Sequence, residues 1–107
     1  MTDNLIGFAQ ESARNETITV GTSNTILSDV RNLQNLRKNI LLRNTSTSAT
    51  AVITLNLGYN QAVAGAGIVL KQNESFSDSS ETGYEAYQGV ITGICNEAGG
   101  KLAIYER

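Results

Sequence analysis

"GAGIVLKQNESFS", residues 65–77, sets two glycines and a lysine around a branched apolar run. It reads either as a loop that cradles a phosphate or as a glycine-rich lead into a strand. A Walker loop needs glycine, four residues and then Gly-Lys-Ser/Thr, and a dinucleotide fingerprint needs a third glycine where a helix begins. Neither pattern is present. The residues after Gly67 are Ile68, Val69 and Leu70, which favour strand, so their amides enter a ladder and do not converge on an anion. The stretch is therefore a strand, the turn Gln72-Asn73-Glu74 and a second strand, with Ile68 and Leu70 pointing together into the core.

The same period of two recurs outward from it. "ETITVG" (16–21) puts Ile18 and Val20 on one face against Thr17 and Thr19. "SNTILSDV" (23–30) holds a weaker strand at 25–28, and Leu33 and Leu36 after it are spaced for one turn of helix. "KNILLRNTS" (38–46) is a branched run closed by a turn cluster. "AVITLNLG" (51–58) alternates Ile53, Leu55 and Leu57 with Thr54 and Asn56, which predicts one buried and one wet face. These two runs are expected to pair through a polar hairpin loop, "TSTSAT". Further along, "YEAYQGVITGIC" (84–95) contains a long strand, "NEAGG" (96–100) is a hairpin turn and "KLAIYE" (101–106) closes the chain.

About eight short strands spaced near ten residues apart, with no sustained helical period, predict an all-β fold. An antiparallel β-sandwich of jelly-roll or Ig-like type is expected. The chain contains no proline, so glycine carries the turns. Gly93 lies inside a strand, where a bulge or a close backbone approach would explain it. No fixed repeat is present, which argues against a solenoid.

A length of 107 residues suits one domain. Residues 1–15 read as an N-terminal arm and 16–107 as the sandwich. The arm is polar except for Leu5, Ile6 and Phe8, and is either disordered or docked on a neighbouring subunit. It has no basic leader and no signal-length apolar run, and no stretch approaches a membrane span, so synthesis in a cytosol and no membrane partner are expected.

The charged fraction is 17%, the net charge −2, and Ser, Thr and Asn make up the polar surface. This balance offers no footprint for nucleic acid, whose binders concentrate Lys and Arg on one face. The small basic cluster Arg37, Lys38 and Arg43 reads as a solvated strand edge or a salt-bridging patch.

No histidine is present, which removes the commonest general base and metal ligand together. Cys95 is the single cysteine, so no disulfide can form within the chain, and alternation places it beside Ile91 as a small buried hydrophobe. Glu74, Asp78, Glu81 and Glu85 gather around turns. They read as a solvated acidic rim, with a calcium site as the second reading of the same oxygens. Paired-carboxylate glycoside hydrolysis would want an aromatic cleft, and the chain has no Trp. Tyr59, Tyr84, Tyr87 and Tyr105 fall near strand ends, where rings cover the core rim and hydroxyls stay wet. Catalytic, cofactor and metal residues are thus expected to be none.

In order, "RKNILLRNTS", "ITLNLG", "GIVLKQNESFS", "YQGVITGI" and "GGKLAIYE" resemble small β-sandwich virion proteins of tailed bacteriophages, of the head-decoration or head and tail accessory type. The resemblance covers about residues 37–106. It departs at Gln72-Asn73, where that family usually has Pro-Gly. It implies an architectural role in a virion, made in the host cytoplasm. The implied partners are a major capsid or tail protein and further copies of the chain, as a homo-oligomer. Leu5, Ile6, Phe8, Tyr59 and Tyr87 are the candidate subunit or lattice contacts. The alternative is a carbohydrate- or receptor-binding sandwich of a phage fibre that uses the tyrosine-bearing loops.

Overall fold

The computed structural model describes residues 14–33, 35–58 and 61–107. They form eight strands: β1 (Arg14–Val20), β2 (Thr25–Ser28), β3 (Asn39–Asn44), β4 (Ile53–Leu57), β5 (Ile68–Leu70), β6 (Ser75–Ser79), β7 (Ile91–Cys95) and β8 (Gly100–Glu106). One four-stranded sheet has the order β1-β8-β3-β6 and the other β2-β7-β4-β5, and every pairing is antiparallel. Consecutive strands mostly alternate between sheets, and β4 and β5 are the only consecutive pair that bond to each other. This is a jelly-roll connectivity, one of the two sandwich types expected.

The alternating residues build the core between the sheets. Val20, Ile40, Leu42, Leu102 and Ile104 come from the first sheet, and Leu27, Ile53, Leu55, Leu70, Ile91 and Cys95 from the second. Ile68 packs against this cluster beside Leu70 while Val69 faces out, as the opening stretch requires. Gly67 leads into β5 at φ 141°, and a Cβ there would stand 2.6 Å from the Leu55 carbonyl oxygen. Its role is close backbone packing of the lead-in against β4.

Several local expectations are corrected. Runs 38–46 and 51–58 do not form a hairpin, because β3 and β4 lie in opposite sheets. Asn44, fully buried at the end of β3, donates from Nδ2 to the carbonyls of Ala51 (3.0 Å) and Leu70 (2.9 Å), while its Oδ1 accepts from Ser46 N (3.0 Å). One amide thus fastens the chain as it crosses from sheet to sheet. "NEAGG" likewise crosses between sheets, with Gly100 seated against the Cys95 sulfur. The turn at 72–74 crosses too, and Asn73 adopts φ 68° there. Asparagine tolerates this left-handed conformation better than most residues.

The wet face expected for β4 is covered. Thr54 is buried and its Oγ1 accepts from Gly65 N (3.0 Å), so the excursion after β4 folds back over the sheet. No helix occurs among the described residues, and Leu33, expected in a helical turn, is 85% exposed. The long strand expected over 84–95 shortens to β7, because side chains take up amides in the preceding segment: Ala86 N donates to Ser80 Oγ and Tyr87 N to Asp78 Oδ2. Gly93 is explained by a side chain, since a Cβ there would meet Leu27 at 2.7 Å. A register irregularity does occur nearby, between Ile26 and Ser28 on the facing strand β2. Finally, β1 takes in Arg14 and Asn15, which the sequence reading assigned to the arm.

Candidate functional site

Strand β8 alternates Leu102, Ile104 and Glu106 inward against Lys101, Ala103 and Tyr105, so parity sends a carboxylate to the core side. Glu106 is 3% exposed. An isolated carboxylate cannot stay charged there at tolerable cost, and cations converge on it. Arg37 is completely buried and donates from Nε to Glu106 Oε2 at 2.9 Å. Arg14 Nη1 reaches Oε1 at 3.0 Å, and Arg31 Nη1 stands 3.3 Å from Oε2. The Ser28 hydroxyl is the fourth group on the carboxylate and donates to Oε2 at 2.9 Å.

The remaining donors of Arg37 are also used. Nη2 donates to Ser28 Oγ (2.7 Å) and the Asp29 carbonyl (3.2 Å), and Nη1 to the Tyr87 carbonyl. Burial pushes the Glu106 carboxyl up, but hydrogen bonds from Arg14, Arg37 and Ser28 and the charge of Arg37 outweigh it. The result lies below the ordinary carboxylate range. Ser28 belongs to β2 and Glu106 to β8, so the cluster joins the two sheets at one end of the sandwich. Arg14 reinforces this join by donating from β1 to the Leu27 carbonyl of β2 (2.9 Å). Oε2 faces Arg37, Arg31 and Ser28 and Oε1 faces Arg14, so at 3% exposure the carboxylate ties β8 to β1, β2 and the β2–β3 loop.

Above this cluster lies a cleft of about 250 Å³ lined by Leu36, Lys38, Ser80, Tyr84, Glu85 and Gln88. Three of its polar side chains, Gln88, Tyr84 and Ser80, make hydrogen bonds. Gln88 accepts from Arg37 N (2.6 Å) and donates to the carbonyls of Arg37 (2.7 Å) and Ala86 (2.9 Å). The Tyr84 hydroxyl donates to Asp78 (2.8 Å), a bond that raises the Tyr84 pKa because the phenolate would lose it. The lining surface is mainly apolar, and Leu36 and Tyr84 in it are 38% and 52% exposed.

The sequence-derived candidates fare unevenly. Leu5, Ile6, Phe8 and Tyr59 lie outside the described residues. Tyr87 is partly buried, with its ring packed against the core and its hydroxyl donating to the Val90 carbonyl (2.9 Å). In the basic cluster, Arg37 is the salt-bridging member and is buried, whereas Lys38 and Arg43 are exposed. The acidic residues serve the turns: Glu74 accepts from Lys71 N (2.8 Å), and Asp78 accepts from Tyr84 and Tyr87. Among the described residues, no group of three or more His, Cys, Asp or Glu is arranged to hold a metal. Cys95 is a free, buried thiol facing the core, as its parity predicts.

Glu106, Ser28, Arg14 and Arg31 were not singled out from sequence. The available signal was Glu106 itself, an acid on the inward parity of "KLAIYE". No helix among the described residues is long and apolar enough to cross a membrane. No protein-family model matches the chain, and no curated protein is similar to it at a significant level.

Proposed function

We propose that this chain is a non-enzymatic structural protein of a phage virion, which decorates or stabilises a capsid or tail through contacts with the particle lattice and with its own copies. The observation that carries the reading is the sealed Arg37–Glu106 cluster in a jelly-roll sandwich. Its central pair is buried, and Ser28 and Glu106 join the two sheets through it. A part that must keep its shape while many copies share a load has use for such a join. The fold alone does not specify a role; the resemblance of residues 37–106 to small virion proteins supplies the direction.

Weak contacts repeated over a lattice add through avidity, so each copy needs only a modest surface. The second reading is a carbohydrate- or receptor-binding sandwich that uses the tyrosine-bearing loops, of which Tyr84 is 52% exposed. The test uses particles of the phage whose genome encodes the chain, prepared without this protein. Adding the purified chain is expected to give saturable co-sedimentation and a higher particle melting temperature. No binding, or binding without any thermal effect, overturns the reading.

A further inference from the structure

The loop between β2 and β3, whose Arg31 and Arg37 reach Glu106, exposes several apolar side chains, called the ridge below. Val30, Leu33 and Leu36, all in the β2–β3 loop, are 56%, 85% and 38% exposed, and Leu36 shares its cleft with Tyr84, 52% exposed. The loop beneath them is tied down: Arg31 N donates to the Gln88 carbonyl (2.8 Å), Arg31 Nε to the Asn35 carbonyl (2.7 Å), and Arg37 is locked in the ion cluster. A fixed apolar surface of this kind points to a binding partner.

The chain holds a complementary segment. Thirteen residues precede Arg14, and the only large apolar side chains among them beyond Met1 are Leu5, Ile6 and Phe8. Arg14 pairs with Glu106 in register and bonds to Leu27, so this segment begins at the same end as the ridge. Phe8 lies six residues before Arg14 and Leu5 nine, contour lengths of roughly 20 and 30 Å at about 3.3 Å per residue. Residues 9–13, Ala-Gln-Glu-Ser-Ala, form a polar link between the apolar island and β1, and the self-association proposed above supplies the second copy that receives it. The segment is acidic through Asp3 and Glu11, while exposed Lys38 and Arg107 flank the receiving surface.

We propose that the arm of one copy docks its Leu5-Ile6-Phe8 island on the Leu33-Leu36-Tyr84 ridge of a second copy. Phe8 enters the cleft beside Tyr84, and reciprocal exchange closes a two-fold pair. The proposal rests on the self-association in the reading above and supplies its surface.

The experiment measures mass by light scattering and sedimentation for the full chain. Two variants accompany it: Leu5→Ser/Ile6→Ser/Phe8→Ser in the arm and Leu33→Ser/Leu36→Ser on the ridge. The parent is expected to run as a pair and each variant as a single chain, with association weakened at least about tenfold. An equimolar mixture of the two variants is expected to regain mass, because one intact arm then meets one intact ridge. Leu33→Ser alone, at a side chain 85% exposed, guards against a folding defect and is expected to weaken pairing at unchanged melting temperature. A parent that stays single, a variant that stays paired, or a mixture that stays single overturns the proposal. Particle binding measured on the same samples separates the two ideas. Pairing without particle binding overturns the virion reading and leaves the docking, and particle binding by single chains does the reverse.

Discussion

Arg37 Nε lies 2.9 Å from Glu106 Oε2, and neither side chain reaches solvent to any useful extent. The guanidinium stays charged under all ordinary conditions, so the carboxylate cannot be removed without leaving a buried cation. Arg37→Ala or Glu106→Gln is expected to destabilise the fold by about 3–5 kcal/mol, the usual cost of breaking a buried pair from one side. Urea denaturation checks this. The double variant Arg37→Met/Glu106→Gln is expected to lose less than the sum of the single changes, because no unmatched charge then remains at the Arg37 position. Arg14 and Arg31 are partly exposed and can be hydrated.

The same carboxyl sets an acid limit. Its folded pKa is below the ordinary value, whereas an unfolded Glu titrates near 4.3. The unfolded state therefore binds the proton first as pH falls. The stabilisation is complete above the unfolded pKa and disappears as pH falls through the folded one. Melting temperature is expected to hold between about pH 5 and 7 as far as Glu106 is concerned, then to fall below about pH 4. In Glu106→Gln this acid-dependent component should be smaller. An identical acid slope in both proteins would contradict the assignment.

The strands were legible in the sequence because period two reports which face of a strand is buried. Ile18/Val20 in β1 and Ile40/Leu42 in β3 both follow it. The pairing was not legible. A face pattern carries no information about which strand lies alongside, so 38–46 and 51–58 looked like a hairpin although they belong to different sheets. Thr54 was misassigned to a wet face for a related reason: the excursion that covers it is fastened by bonds such as Gly65 N to Thr54 Oγ1 and Ala62 N to Asn24 Oδ1, which no local pattern announces. The ion cluster was half legible. Glu106 sits on an inward parity, but its three arginines come from β1 and the β2–β3 loop, and only the fold brings them together.

Asn44 tests the crossover. Replacing it with Ala strands the carbonyls of Ala51, in the β3–β4 crossover, and Leu70, where β5 leads into the β5–β6 crossover. At about 1–3 kcal/mol for each buried group left unpaired, Asn44→Ala should cost roughly 2–6 kcal/mol. Asn44→Asp keeps the bond from Ser46 N but offers no donor to either carbonyl. It should be at least as damaging, since it adds a buried charge. Chemical denaturation of both variants measures the order; an Asp variant more stable than the Ala variant would overturn the role given to Nδ2.

The glycines of the opening stretch give the last test. Gly65 and Gly67 both have positive φ, at 80° and 141°, but their surroundings differ. No atom lies within 4 Å of a Cβ at Gly65, whereas at Gly67 the Leu55 carbonyl oxygen stands at 2.6 Å. Gly65→Ala should therefore show backbone strain alone, about 1 kcal/mol. Gly67→Ala adds a collision with a backbone atom of β4 that cannot rotate away, and should cost about 2–4 kcal/mol. The comparison isolates close packing from conformational freedom, because both substitutions add one methyl to the same loop. Thermal unfolding of the pair measures the difference, and equal losses would mean that the lead-in to β5 can lift off the sheet without penalty.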